Sequence, residues 1–146
     1  MKGLIAAIQF ITILPCGKSA QFDPKKMVPF FPVVGRILGM MVAVVDQAAL
    51  RLWAPQVAAL LDVITHIIMT GAFHLDGLGD TADGLLGQRS KEAALTIMKD
   101  SRLGTMGLVA IVCGLAIKWC GIMGLEIQRS LLLIIIPAYA RGGMVF

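Results

Sequence analysis

Three carboxylates stand at helical spacing in the most polar stretch of this sequence. Asp76, Asp80 and Asp83 are separated by four and three residues, so at about 100° per residue they project within roughly 60° of one another on a helix. Such carboxylates repel one another unless a cation neutralises them. Oxygen ligands of this kind select Mg²⁺ or Mn²⁺ over zinc, and Mg²⁺ typically takes substrate phosphates as further ligands. The spacing predicts a catalytic site in which all three residues hold Mg²⁺ or Mn²⁺.

Glycines and cations surround these acids. Gly77, Gly79, Gly84 and Gly87 are costly inside a helix, which indicates either that a large group approaches the backbone closely or that the helix is broken here. Backbone amides at a helix N-terminus and cationic side chains both bind phosphate oxygens. We therefore predict substrate contacts from the neighbouring polar residues, Asp100 being either a further metal ligand or the partner that orients the cations: His74, Arg89, Lys99, Asp100 and Arg102.

A plainer interpretation competes with this one. Aspartates often cap helices or hydrate a loop, and a lone Asp-x-x-x-Asp pattern is weak support for a metal site. Three acids with four interleaved glycines favour a functional site more strongly. Within the apolar segments, Asp62 and His66 lie one turn apart and form either a hydrogen bond between helices or part of the site. Arg141 needs a partner in the protein interior for the same reason.

Composition indicates that membrane lipid surrounds the chain. Of the 146 residues, 58% are hydrophobic and 15% are charged, with a mean hydropathy of +0.84, whereas soluble domains are about 45–50% apolar and about 25% charged. The net charge is +4, but the basic residues are dispersed and aromatic residues are few, so nucleic acid is not an expected partner. The three cysteines form no Cys-x-x-Cys pair, which argues against a zinc site or a disulfide.

Five apolar segments divide the chain and predict an all-α, polytopic integral membrane helical bundle. The first, at residues 1–15, is shorter than the roughly 20 residues that span a bilayer, so we expect a re-entrant or interfacial helix there. The other four, predicted as spans, are residues 27–50, 57–75, 103–125 and 131–146.

The last segment has sixteen residues, which reach about 24 Å, short of the roughly 30 Å hydrocarbon core. We therefore expect that residues 1–146 form a single membrane-embedded catalytic domain, truncated at its C-terminus and continuing in a longer chain.

Lysine and arginine counts predict the orientation. Residues 16–28 and 76–102 hold seven basic residues, whereas residues 51–56 and 118–130 hold three. Loops rich in Lys and Arg stay on the cytoplasmic side. The polar stretch is therefore expected at the cytoplasmic face of a multi-pass protein of the cytoplasmic (inner) membrane.

At these motifs the sequence resembles the cobalamin synthase family, the adenosylcobinamide-GDP ribazoletransferases. The resemblance depends mainly on GAFHLDGLGDTADGL (71–85) and IMKDSRLGTMG (97–107), with support from AIQFITILP (7–15) and FFPVVGRILG (30–39). Two departures are a glycine at position 79, where alanine is more usual, and Ile13 and Gly17, where members often have Arg and Pro. None of these departures removes a carboxylate.

The resemblance implies a transferase of cobalamin biosynthesis that acts in nucleotide loop assembly. Its substrates would be adenosylcobinamide-GDP and α-ribazole or α-ribazole 5′-phosphate, with Mg²⁺ as cofactor and GMP released. Under this hypothesis Mg²⁺ bridges the diphosphate to the three aspartates, Asp83 being an alternative general base, and Lys99 and Arg102 contact phosphate. The resemblance does not decide whether the protein forms a homo-oligomer.

Two other functions fit part of the pattern. A CDP-alcohol phosphotransferase also places aspartates at helical spacing in a membrane, but its Asp-Gly-x-x-Ala-Arg signature is missing. An ion-coupled transporter would explain the acids and the arginine inside the apolar segments, together with a broken, glycine-rich helix: Asp46, Asp62, His66 and Arg141.

Overall fold

The computed structural model describes residues 2–17, 23–86, 90–100 and 102–145. These residues form helices joined by turns, and no strand occurs among them, so the predicted all-α class is confirmed for the described part of the chain. The helices are α1 (Lys2–Ile11), α2 (Pro24–Met27), a 3₁₀ turn (Val28–Phe30), α3 (Phe31–Ala49), α4 (Pro55–Met69), α5 (Phe73–Leu85), α6 (Lys91–Ile97), α7 (Thr105–Met123), α8 (Arg129–Gly142) and a last 3₁₀ turn (Gly143–Val145).

Among the described residues, two helical stretches are long and apolar enough to cross a membrane, which indicates a membrane protein. They are Pro24–Ala49, with 26 residues, and Thr105–Met123, with 19 residues. Helices α4 and α5 pass the same test only as a pair, so the described residues allow up to three spans if this pair is counted as one. Helix α8 has 14 residues, about 21 Å at 1.5 Å per residue. The predicted count of four spans, the single domain and the C-terminal truncation therefore stay predictions.

The chain divides into two compact units, one formed by Met1–Gly71 with Gly121–Phe146 and the other by Ala72–Cys120. In the first unit, α3 and α8 run antiparallel, because Gly35 meets Pro137 while Gly39 meets Leu133. A Cβ atom on Gly39 would lie 2.6 Å from the Leu133 carbonyl oxygen. Small residues four apart let helix backbones approach closely in membranes, and Gly35 and Gly39 have this role here.

Helix α1 packs on the start of α3. Phe10 and Phe31 stack with ring centroids 6.1 Å apart. Phe31 is buried, whereas Phe10 stays exposed at the edge of the contact. The apolar surface that this contact removes from solvent holds the short α1 on α3. The buried cluster at this contact consists of Ala7, Ile11, Met27, Phe31, Val34 and Leu38.

The third apolar segment ends earlier than its sequence indicates. It was expected to continue to residue 75, but α4 ends at Met69, and Gly71 and Ala72 both have a φ of 58°. A left-handed glycine directly after a helix is a common termination signal, and the Thr70 hydroxyl donates a hydrogen bond to the His66 carbonyl at 2.9 Å. The fifth segment likewise ends as α helix at Gly142.

The second unit contains α5, α6 and α7, and its glycines allow close packing. A Cβ on Gly79 would lie 3.1 Å from side-chain atoms of both Leu103 and Ile111, and one on Gly84 would lie 2.5 Å from Met98. Helix α5 is continuous from Phe73 to Leu85. Of the two explanations for the glycines, a broken helix is therefore wrong for Phe73–Leu85. Close approach of neighbouring side chains explains Gly79 and Gly84. Gly77 faces open space, and position 87 lies outside the described residues.

Candidate functional site

Asp76 and Asp80 lie one turn apart on α5, as their spacing predicts. Asp76 is exposed and Asp80 is half-buried. Neither side chain makes a hydrogen bond or an ion pair with another residue in the described part of the chain. Two carboxylates on adjacent turns are therefore available to a ligand from outside the described residues.

Asp83 is engaged by the protein itself. Its Oδ2 accepts a hydrogen bond from the Gly104 backbone N–H at 2.7 Å, and its Oδ1 accepts one from the Gly107 N–H at 2.8 Å. These amides belong to the start of α7, where the N–H groups have no partner within the helix and carry a partial positive charge. The contact joins the two motifs at 71–85 and 97–107, and sequence reasoning did not predict it.

Glycine is required at both positions that donate to Asp83. A Cβ atom on Gly104 or on Gly107 would collide with the Asp83 carboxylate. A Cβ on Gly107 would also lie 2.8 Å from the Gly79 carbonyl oxygen. The glycines of the second motif therefore open the space that the carboxylate of the first motif occupies.

Asp100 and Arg102 form an exposed ion pair after α6. The Arg102 Nε donates to both Asp100 oxygens at 3.1 and 3.0 Å, and Nη2 donates to Oδ2 at 2.6 Å. The Arg102 guanidinium lowers the pKa of the Asp100 carboxyl below its ordinary value. This contact fits the second of the two roles predicted for Asp100, that of a partner to the cations.

The remaining predicted substrate contacts lie at the ends of α5 and α6. The His74 ring, in the first turn of α5, meets the Phe73 ring edge-on with centroids 5.5 Å apart. Lys99 is exposed in the turn that follows α6. Arg89 lies outside the described residues. The roles of these residues in substrate binding stay predictions.

The three predicted magnesium ligands do not form a ready-made metal site. Among the described residues, no group of three or more His, Cys, Asp or Glu side chains converges in a way that could hold a metal ion. Both Asp83 oxygens already accept backbone amides. A pair formed by Asp76 and Asp80 still fits Mg²⁺, because this ion is commonly held by one or two carboxylates together with substrate phosphates.

Arg129 is a half-buried residue that sequence reasoning missed. Its Nη2 lies 2.7 Å from Asp46 Oδ1 and 3.4 Å from Asp62 Oδ2, and both acids are fully buried. Its Nη1 donates to the Ile122 carbonyl at 2.9 Å. Arg129 therefore links α3, α4 and α8 within the first unit. The signal in the sequence was the two acids inside apolar segments, which require a cation, but Arg129 was counted only as a residue of a turn.

Arg141 and His66 form a second buried polar contact in the first unit. The Arg141 Nη2 lies 3.4 Å from the His66 Nε2, so Arg141 does have the interior neighbour that was expected. Arg141 is 8% exposed. Of the two roles considered for His66, the contact between helices is the one seen.

The chain is similar to one family of proteins along nearly its whole length. Residues 3–146 match the family model described as cobalamin-5-phosphate synthase. An adenosylcobinamide-GDP ribazoletransferase of Alkaliphilus metalliredigens is 42% identical over the whole chain, which covers 60% of that relative. Relatives with the same name from Clostridioides difficile and Herpetosiphon aurantiacus are 37% and 39% identical over 99% and 97% of the chain, covering 57% and 58% of their lengths. No solved structure matches the chain significantly.

Proposed function

Because this chain belongs to the cobalamin-5-phosphate synthase family, we propose that it acts in the reaction for which its relatives are named, as an adenosylcobinamide-GDP ribazoletransferase. The observation that carries the proposal is the extent of the match, which includes both polar motifs. The chain spans about 60% of the length of the relatives it resembles, so the activity, substrates and partners of the whole enzyme enter here as proposals.

The proposed chemistry is transfer of a phosphoryl-linked group. A hydroxyl of α-ribazole or of its 5′-phosphate attacks the phosphorus next to cobinamide. A P–O bond to the acceptor forms, the bond to the bridging oxygen breaks, GMP leaves with the bonding electrons, and the hydroxyl proton passes to a base or to water. The chain must therefore bind a diphosphate and stabilise the negative charge that develops on GMP.

Asp76 and Asp80 are the proposed ligands of Mg²⁺. When bound, this ion neutralises diphosphate charge and orients the reacting phosphorus. The support is that both carboxylates face one side of α5 and have no partner among the described residues.

Lys99 and Arg102 are the proposed phosphate contacts. Lys99 is exposed and supplies a compact charge. Arg102 gives Nε and Nη2 to Asp100, which leaves the Nη1 donors for phosphate and holds the guanidinium plane in one orientation. His74 and Arg89 complete the proposed set of substrate-binding residues.

We further propose that the enzyme is a multi-pass protein of the cytoplasmic (inner) membrane, with four spans and its site at the cytoplasmic face. The support is the excess of Lys and Arg in residues 76–102 and the presence, among the described residues, of two helices long and apolar enough to cross a membrane. No observation favours the transporter alternative, because Asp46 and Asp62 have Arg129 as their cation.

The test is turnover of adenosylcobinamide-GDP by the full-length protein in vesicles. We expect GMP release that requires Mg²⁺ and an acceptor. We also expect Asp80→Asn to lower kcat at least about a hundredfold, because it removes one of the two carboxylates that would hold Mg²⁺. Glu92→Gln, which neutralises an exposed acid of α6, is the matched control and should retain activity.

Two results would contradict these proposals. Full activity of Asp80→Asn would exclude a ligand role for that carboxylate. A parent protein that shows no turnover but moves a solute across the vesicle membrane would exclude the enzyme.

A further inference from the structure

We propose that Asp83 is a positioning residue, which fixes α5 to the first turn of α7, and that it is neither a Mg²⁺ ligand nor the general base. The inference deepens the proposed function and rests on it, because it divides the three motif carboxylates into two tasks. Asp76 and Asp80 would face the cation and the diphosphate. Asp83 would hold the two motifs in register.

Both carboxylate oxygens of Asp83 already accept hydrogen bonds within the protein. Each accepts a backbone amide at 2.7–2.8 Å, one from Gly104 and the other from Gly107. These lengths are typical of charge-assisted hydrogen bonds. A helix leaves its first four N–H groups without partners, and Asp83 binds two amides at this end of α7 from a neighbouring helix. The carboxylate thus already has a task within the protein.

The backbone around the Asp83 carboxylate leaves room for it because residues 104 and 107 are glycines. At Gly104 and at Gly107 a Cβ atom would collide with the Asp83 carboxylate. Substituting either glycine would push the carboxylate away from both amides. The two glycines therefore let the Asp83 carboxylate lie directly against the N-terminus of α7.

The other two acids of the motif differ from Asp83. Asp76 and Asp80 make no hydrogen bond or ion pair with a described residue, although they belong to the same helix face as Asp83. The described residues contain no three-ligand group that could hold a metal. Asp83 is thus held by the protein, whereas Asp76 and Asp80 are available to the cation and the diphosphate, which agrees with the proposed division of tasks.

The consequence concerns the segment that binds phosphate. Lys99 and Arg102 lie five and two residues before Gly104 in the chain. Seating Gly104 on Asp83 limits where these cations can lie relative to α5. Since small displacements of substrate-binding groups reduce catalysis strongly, loss of the anchor should lower the rate even though no ligand of the reacting atoms is removed.

Asp83→Asn in the full-length enzyme in vesicles tests the role. Asparagine keeps one acceptor oxygen but turns an NH₂ toward the second amide, so one hydrogen bond is lost. We expect kcat/KM for adenosylcobinamide-GDP to fall roughly ten- to a hundredfold, while the Mg²⁺ concentration for half-maximal rate changes less than about twofold. Asp80→Asn should instead raise that concentration.

Gly107→Ala tests the same contact without touching any acid. It should reproduce the kinetic defect of Asp83→Asn, and the double variant should be little worse than either single variant. Gly121→Ala, on the same helix but facing open space, is the control and should behave like the parent. Hydrogen exchange supplies a readout independent of catalysis: in Asp83→Asn and Gly107→Ala, the amides of Gly104 and residue 107 should exchange at least about tenfold faster.

Several results would overturn the proposal. One is a rise in the Mg²⁺ requirement of Asp83→Asn as large as that of Asp80→Asn. Another is parental activity in Gly107→Ala, and a third is unchanged exchange at Gly104 and Gly107 in Asp83→Asn. If the parent itself has no transferase activity, the proposed function fails, and the exchange measurement still decides whether Asp83 anchors α7.

Discussion

Replacing Arg129 by methionine should lower the stability of the first unit much more than substitution of a solvent-exposed residue does. The guanidinium lies 2.7 Å from Asp46 and 3.4 Å from Asp62. Both acids are 0% exposed, and Asp62 Oδ1 has no hydrogen-bond partner among the described residues. Without Arg129, two buried carboxylates would face each other with no cation between them.

The size of the effect follows from the burial of these charges. Removing one partner of a buried ion pair costs about 3–5 kcal/mol, because the remaining charge is left uncompensated. Arg129→Met also removes the hydrogen bond from Nη1 to the Ile122 carbonyl. Since the total stability of a domain is about 5–15 kcal/mol, this is a large fraction. At about 2–4 °C per kcal/mol, we expect the Tm to fall by about 6–20 °C.

The assay is thermal unfolding of the purified protein in detergent. Arg51→Gln is the control, because Arg51 is an exposed arginine in the turn between α3 and α4. A triple variant, Asp46→Asn with Asp62→Asn and Arg129→Met, should recover most of the lost Tm, since it removes the acids together with their cation. The recovery distinguishes uncompensated charge from a simple loss of packing.

A small effect would refute this reasoning. If Arg129→Met unfolds within about 2 °C of the parent, the guanidinium does not compensate the two acids. If the triple variant is as unstable as the single one, the loss comes from packing around the side chain and the charge argument fails.

Three further predictions concern packing, capping and titration. Gly39→Ala should destabilise the α3–α8 contact by about 1–3 kcal/mol, because its Cβ would lie 2.6 Å from a backbone oxygen; Gly143→Ala, at an open position, is the unfolding control. Ser90→Ala should lower the stability of α6 by about 1 kcal/mol, because it removes the N-cap hydrogen bond; the measurement is faster hydrogen exchange of the amides in the first turn of α6. Arg102→Gln should raise the pKa of Asp100, measured by NMR, since Arg102 now lowers it; the pair therefore stabilises the loop above the ordinary pKa and is lost as pH falls through the lowered one.

The candidate site could be predicted from the sequence only in part. The spacing of Asp76, Asp80 and Asp83 places them on one helix face, since local periodicity determines it. The distinct position of Asp83 could not be predicted, because its partners lie 21 and 24 residues further along the chain. The glycines were recognised as unusual, yet only the packed helices show that Gly79 and Gly84 permit close approach without breaking α5.

Composition and short-range pattern determined that this chain is helical and suited to a membrane, because both depend on the solvent around each segment and on near neighbours. They also carried the motifs that place the chain in its family. Only the tertiary structure decided which charges meet: Arg129 contacts Asp46 across 83 residues and Asp62 across 67. The physical reason is that a buried charge needs a partner within a few ångströms, and the packing of α3, α4 and α8 determines which cation lies at that distance.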